Sequence, residues 1–179
     1  DDIVRRFVRA SVRNGIDIIR IFDALNDVNN LKVAIEETVK SGAIASGTIS
    51  YTTSPVHTRE KYVEMVRELA QMGVGSICIK DMAGILTPAA AYDLVAAIKD
   101  AVDLPVVMHT HCTTGLAYMT YLKGIEAGAD VIDTAISPFS GGTSQPATET
   151  LAYALRELGY EVDLDQPTLY KIADYFKPI

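Results

Sequence analysis

No run of apolar residues in this chain approaches the roughly 18 that a membrane-spanning helix needs. The order of a secretory signal is also missing: no basic start, apolar stretch and small-residue cleavage site follow one another. The chain is therefore expected to be soluble, with no direct membrane insertion. Basic residues do not cluster. Sixteen Lys and Arg face 23 Asp and Glu, the net charge is −7, and the charges are spread along the chain. That excludes the basic stripe of a nucleic-acid surface. Cysteine is scarce: Cys78 and Cys112 fall at or beside expected strands rather than in stapled loops, which fits a reducing cytoplasm. There is no initiating methionine; the chain opens on DDIVRRFVRA and is expected to be a piece of something longer. Histidine is scarce too. There are three, and two of them stand in VVMHTHCTTG, residues 106–115.

What is present suits one globular domain. The chain has 179 residues and 49% are hydrophobic, enough for a core. Three stretches resemble one another: NGIDII at Asn14, MGVGSI at Met72 and AGADVI at Ala127. Their glycines, Gly15, Gly73 and Gly128, are placed as helix C-caps, where a positive φ is wanted. Apolar, β-branched runs then predict five strands, at about 16–22, 43–50, 75–80, 105–110 and 130–135. The runs read as near-continuous, which predicts parallel strands covered on both faces. Helices are predicted between them over 58–72, 88–102, 114–127 and 145–158. Thr58 and Thr87 stand as N-caps, and Pro88 in a first turn. Strands alternating with such helices predict a parallel α/β sheet or barrel.

Polar residues concentrate on one kind of joint. The strand-to-helix joints carry FDALND, SYTTSPVHT, KDMAGILT, HTHCTTG and TAISPFSGGTSQ. In a parallel α/β protein these lie together on the carboxyl rim, where such folds place their sites.

On that rim, His109 and His111 are two residues apart, so a strand end points both to one face. Two imidazoles so placed suit a metal ion; a single hydrogen-bonded structural histidine is the plainer alternative. Lys80 closes the preceding strand. It either reaches to solvent or pairs with Asp81, or it is buried and used. A buried neutral lysine near a metal can add carbon dioxide and become a carbamate, an anionic oxygen ligand. Thr143 and Ser144, in SGGTSQP, are expected near a helix start, where N–H groups and a hydroxyl meet an anion, with Ser144 as an ordinary N-cap. Asp23 and Asp27 are candidate caps. Cys112, one residue past the pair, is expected to face away from it, Cys78 to be core, and His57 to lie on the surface.

RIFDALND, CIKDMAGILTP, HTHCTTG, EAGADVIDTAIS and GGTSQPA, in this order over nearly the whole chain, resemble the carboxyltransferase domain of the biotin-dependent carboxylases. The resemblance implies a (β/α)8 TIM-type barrel, of which residues 1–179 would be the C-terminal portion, about the last five βα units. The N-terminal strands and the biotin carrier domain would lie outside it. It implies a divalent metal (Zn2+, Mn2+ or Co2+) held by His109, His111 and Lys80 as a carbamate. It further implies that Thr143 shuttles a proton between pyruvate and biotin, with Thr143 and Ser144 meeting the cofactor and Thr143 and Lys80 catalytic. The activity implied is carboxyl transfer between carboxybiotin and pyruvate or oxaloacetate. A biotin carboxyl carrier domain would be the partner, since A-M-K-M is absent here, and a homo-oligomer and a cytoplasmic setting are expected, any membrane association coming through partner subunits.

Two departures stand out. Where many members have an aspartate after the second histidine, this chain has Cys112. The family's metal-binding aspartate belongs to an earlier strand and is not Asp23, as are the residues that hold the pyruvate carboxylate. Two other readings compete. One is the related aldol-type lyase and synthase branch, of hydroxymethylglutaryl-CoA lyase or isopropylmalate synthase type, which shares H-x-H but typically has D-T-x-G where this chain has KDMAG. The other is an excised barrel fragment without activity.

Overall fold

The computed structural model describes residues 1–178. Its strands are β1 (Ile18–Ile21), β2 (Ile44–Ser50), β3 (Ser76–Asp81), β4 (Val106–Thr110) and β5 (Val131–Ile132). They form one sheet in sequential order, every pair parallel. Helices α1 (Asp2–Arg13), α2 (Lys32–Lys40), α3 (Arg59–Gln71), α4 (Pro88–Ala101), α5 (Ala117–Glu126), α6 (Thr148–Glu157) and α7 (Gln166–Phe176) complete the described chain.

Local chemistry sets most boundaries. The Thr58 hydroxyl accepts from Lys61 N–H to open α3, and Thr87 accepts from Ala90 N–H to open α4, with Pro88 in the first turn. Gly15, Gly73 and Gly128 take φ of +97°, +84° and +102° at the helix-to-strand joints, as the repeated motif predicts. The helix expected from residue 145 starts later. Thr148 N–H donates to the Ala135 carbonyl and Ala135 N–H to the Pro146 carbonyl, so the chain stays extended through Ala147. Ser144 is therefore not an N-cap: Ala147 holds that position, without a side-chain cap.

One face of the sheet is apolar. Ile49, Ile77, Ile79, Val106 and Met108 are buried there, against Val66, Leu69, Leu94, Val95 and Ile98 of α3 and α4. The opposite face is mostly polar but largely buried as well, so the central strands are covered on both faces as their near-continuous runs predict. Register puts Arg20 beside Ser46, Ser46 beside Ser76, and Lys80 between Ser50 and His109. Thr48 and Cys78 lie on the same face. Cys78 is buried, as expected of a core residue, but among these polar neighbours rather than under the helices. Five flat parallel strands would separate β1 from β5 by about 19 Å at 4.8 Å per step, more than two side chains can span. Yet Arg20 on β1 pairs with Asp133, just past β5. The sheet is thus strongly curled with its polar face concave, the curvature of a barrel wall.

Candidate metal and carboxyl-transfer site

The concave face ends at a rim built from three joints. After β3, KDMAGIL forms a tight turn organised by Asp81, whose buried carboxylate accepts from Ile85 N–H (3.0 Å) and Leu86 N–H (2.8 Å). Asp81 therefore does not pair with Lys80. This turn presses on the joint after β4. His111 N–H donates to the Asp81 carbonyl at 3.0 Å, and Thr114 Oγ1 donates to the Gly84 carbonyl. Gly84 has φ +69°, and a Cβ there would stand 2.5 Å from the His111 carbonyl oxygen. Glycine is required by both conformation and space. The third joint closes over the second: Cys112 N–H donates to the Ser144 carbonyl at 2.8 Å.

Within this frame the two histidines converge. His109 Nε2 and His111 Nε2 are 3.2 Å apart. Their other nitrogens fix the tautomers. His111 Nδ1 is 2.6 Å from the Thr143 carbonyl, which can only accept, so Nδ1 carries the proton. His109 Nδ1 is 2.8 Å from Asp133 Oδ2. Burial pushes the Asp133 carboxyl up, but hydrogen bonds from His109 and Arg20 outweigh it and hold it at about 2. The carboxylate is charged, and His109 Nδ1–H donates to it. With the Nδ1 atoms engaged in this way, the two Nε2 atoms face each other across a gap that suits a cation, and the Gln145 side-chain nitrogen lies 3.3 Å from His109 Nε2. Ligand bonds of about 2.0–2.1 Å meeting near the tetrahedral angle place two nitrogens about 3.3 Å apart. The pair fits a metal ion on distance and on tautomer. Among the described residues there is no group of three His, Cys, Asp or Glu able to hold one.

Lys80 stands next to His109 in register, on the same face. It is half-buried, with Nζ 5.0 Å from the centre of the Phe22 ring. Among the described residues its ammonium has no hydrogen-bond or ion-pair partner. Thr143 enters the site by its carbonyl, and its side chain is exposed. Ser144 enters through its backbone. Asp23 and Asp27 do turn work, as expected of caps: Asp23 accepts from Leu25 N–H, Asp27 N–H and Asn30, and Asp27 from Asn29 N–H. His57 lies in the β2–α3 loop, hydrogen-bonded to Ser54 Oγ at 2.7 Å.

Three residues of the site were not singled out by the sequence. Asp133 and Arg20 lie 113 positions apart, and strand register alone would have put them on one face. Gln145, whose side-chain nitrogen is 3.3 Å from His109 Nε2, sits in the same TSQP stretch as Thr143.

The chain is similar to known proteins. A pyruvate carboxylase subunit of Methanocaldococcus jannaschii is 56% identical over the whole chain, which covers 32% of that protein. The methylmalonyl-CoA carboxyltransferase 5S subunit of Propionibacterium freudenreichii subsp. shermanii is 47% identical over the whole chain, which covers 36% of it. The carboxyl transferase domain of Rhizobium etli pyruvate carboxylase, solved with pyruvate, superposes with a TM-score of 0.95 at 36% identity, over 98% of this chain and 31% of that one. The chain thus spans about a third of the length of these relatives. No helix among the described residues is long and apolar enough to cross a membrane. The HMGL-like family model matches residues 22–176, and the chain belongs to that family.

Proposed function

We propose that this chain forms the metal-binding rim of a biotin-dependent carboxyltransferase that moves a carboxyl group between a biotin carrier and pyruvate or oxaloacetate. Residues 1–179 would be the C-terminal portion of a longer barrel domain. The observation that carries the reading is the facing pair of Nε2 atoms on His109 and His111, 3.2 Å apart at the carboxyl rim. These two histidines would hold a divalent cation, with Lys80 as the third ligand once carbamylated. A cation there would supply positive charge opposite an enolate oxygen formed from pyruvate. The chain's own residues set the frame. Asp133 and the Thr143 carbonyl fix the imidazole protons on Nδ1, and the Asp81-organised turn holds the β4 joint in place.

Thr143 carries two separable roles. Its carbonyl orients His111, which the geometry supports. The proton-shuttle role of its hydroxyl, and cofactor contact by Thr143 and Ser144, follow from the motif resemblance alone. The relatives' names favour carboxyl transfer over the lyase and synthase reading, and so does a lysine at position 80.

Elemental analysis of the full-length protein tests the proposal, together with carboxyl-transfer assays on His109→Ala and His111→Ala. Each variant should lose bound metal and at least about 100-fold in transfer rate. Unchanged metal content in both would sink the proposal.

A further inference from the structure

One side-chain tie crosses the whole concave face. Arg20 is on β1, at one edge of the sheet, and Asp133 follows β5, at the other. The pairing is two-pronged: Arg20 Nη1 donates to Asp133 Oδ2, and Nη2 to Oδ1 at 3.3 Å. Oδ2 also accepts from His109 Nδ1. The carboxylate is therefore shared between the guanidinium and the imidazole. Its backbone is fixed as well: Asp133 N–H donates to the Met108 carbonyl, and its carbonyl accepts from the Tyr121 hydroxyl at 2.8 Å.

We infer that Asp133 and Arg20 are positioning residues for His109, so that one proposed metal ligand on β4 is set in tautomer and ring plane from the far edge of the sheet. The inference rests on the metal reading proposed above. The two histidines are held by different chemistry. His111 donates to a neutral carbonyl that no side-chain substitution removes. His109 donates to a carboxylate that substitution can remove, and that carboxylate owes its placement to Arg20. A negative partner on Nδ1 makes Nε2 a stronger electron donor and holds the ring against rotation. Arg20 can use only part of its fork elsewhere. Its Nε is buried without a partner, as is the hydroxyl of its register neighbour Ser46. The guanidinium is thus committed to Asp133 and to no other described side chain.

The test uses the full-length protein and Co2+ as probe. Affinity is read by competition with a chelating dye, geometry by the visible spectrum, and folding by circular dichroism. Asp133→Ala should weaken Co2+ binding about 10–100-fold and shift the visible bands, as loss of a partner behind a ligating histidine does. Asp133→Asn keeps an acceptor for Nδ1–H and should recover part of the affinity. Arg20→Met should weaken binding less than Asp133→Ala. Added to Asp133→Asn, it should cost nothing further, because Arg20 acts through the carboxylate. Asp133→Asn and Arg20→Met decide the matter if Asp133→Ala does not fold. Co2+ affinity within about twofold of wild type and an unchanged spectrum in these variants, while His109→Ala loses the ion, would overturn the inference alone. Retention of Co2+ by His109→Ala would overturn the metal reading with it.

Discussion

Gly84→Ala isolates how closely two rim loops must approach. The substitution carries two costs. Gly84 has φ +69°, and an L-residue in the left-handed region costs about 1–2 kcal/mol. The new Cβ also meets backbone, 2.5 Å from the His111 carbonyl oxygen and 3.3 Å from Thr113 N. The first contact is roughly 1 Å inside ordinary van der Waals distance, and neither atom belongs to a side chain that could swing aside. Overpacking of this kind costs about 1–3 kcal/mol. The expected loss is about 2–5 kcal/mol. Gly115 on the same rim supplies the control. Its φ is +83°, and a Cβ there has nothing within 4 Å, so Gly115→Ala carries only the conformational cost of about 1–2 kcal/mol. Urea unfolding of both variants measures the difference. The carbonyl that must yield is that of His111 itself, so Gly84→Ala should also weaken metal binding about 10-fold in chelator competition, and Gly115→Ala should not. Equal destabilisation by the two substitutions would refute the argument that the approach of the KDMAGIL turn shapes the histidine joint.

Lys80→Ala should remove the metal and nearly all carboxyl transfer from the full-length protein, whereas Lys80→Glu, which restores an oxygen anion on a shorter arm, should keep some metal. Metal loading in carbon-dioxide-free buffer should resemble Lys80→Ala; indifference to carbon dioxide would rule out the carbamate. Thr143→Val keeps the carbonyl that orients His111 and should keep the metal by elemental analysis. A loss of transfer beyond about 100-fold in that variant would assign the hydroxyl to proton transfer, and retention within about 10-fold would leave Thr143 its backbone role. Glu37, buried on α2, is held at about 2 by hydrogen bonds from Arg9 and Arg5 of α1, below its ordinary 4.5. A lowered folded-state pKa adds stability that is fully present above about pH 4.5 and lost as pH falls to about 2. Glu37→Gln should flatten urea stability across that window, and an unchanged slope would refute the reading.

The parts of this site that were legible in the sequence are local. Thr58 and Thr87 announce their helices because an N-cap hydroxyl and the N–H that donates to it lie three residues apart. His109 and His111 announce a shared face because strand periodicity is two. The glycines of the repeated joint announce a positive φ because few other residues tolerate one. Ser144 misled for the same local reason: it stands before a helical pattern, yet pairing of 146–148 with Ala135 holds the chain extended for three more residues. The polarity of the concave face was hidden by side-chain size. Ser46, Thr48, Ser76 and Cys78 are small or β-branched, so the runs containing them read as continuous strand rather than as alternation. Arg20 and Asp133 could not be paired without the register of five strands. A charge on one strand gives no sign of which distant charge will meet it.

Charge balance ties the lysine to the histidines. On the concave rim Arg20 and Asp133 cancel, and Lys80 as an ammonium leaves one positive charge beside the two imidazoles. A divalent cation about 5 Å from that ammonium would be repelled by about 7 kcal/mol at an effective dielectric constant near 20. That is equivalent to losing several orders of magnitude in affinity. Carbamylation converts the ammonium to an anion and turns the repulsion into attraction of similar size. The Phe22 face lies 5.0 Å from Nζ, and its attraction for an ammonium, about 0.5–2 kcal/mol, is small beside that repulsion. A carbamate is the form of Lys80 compatible with a cation held between the two histidines.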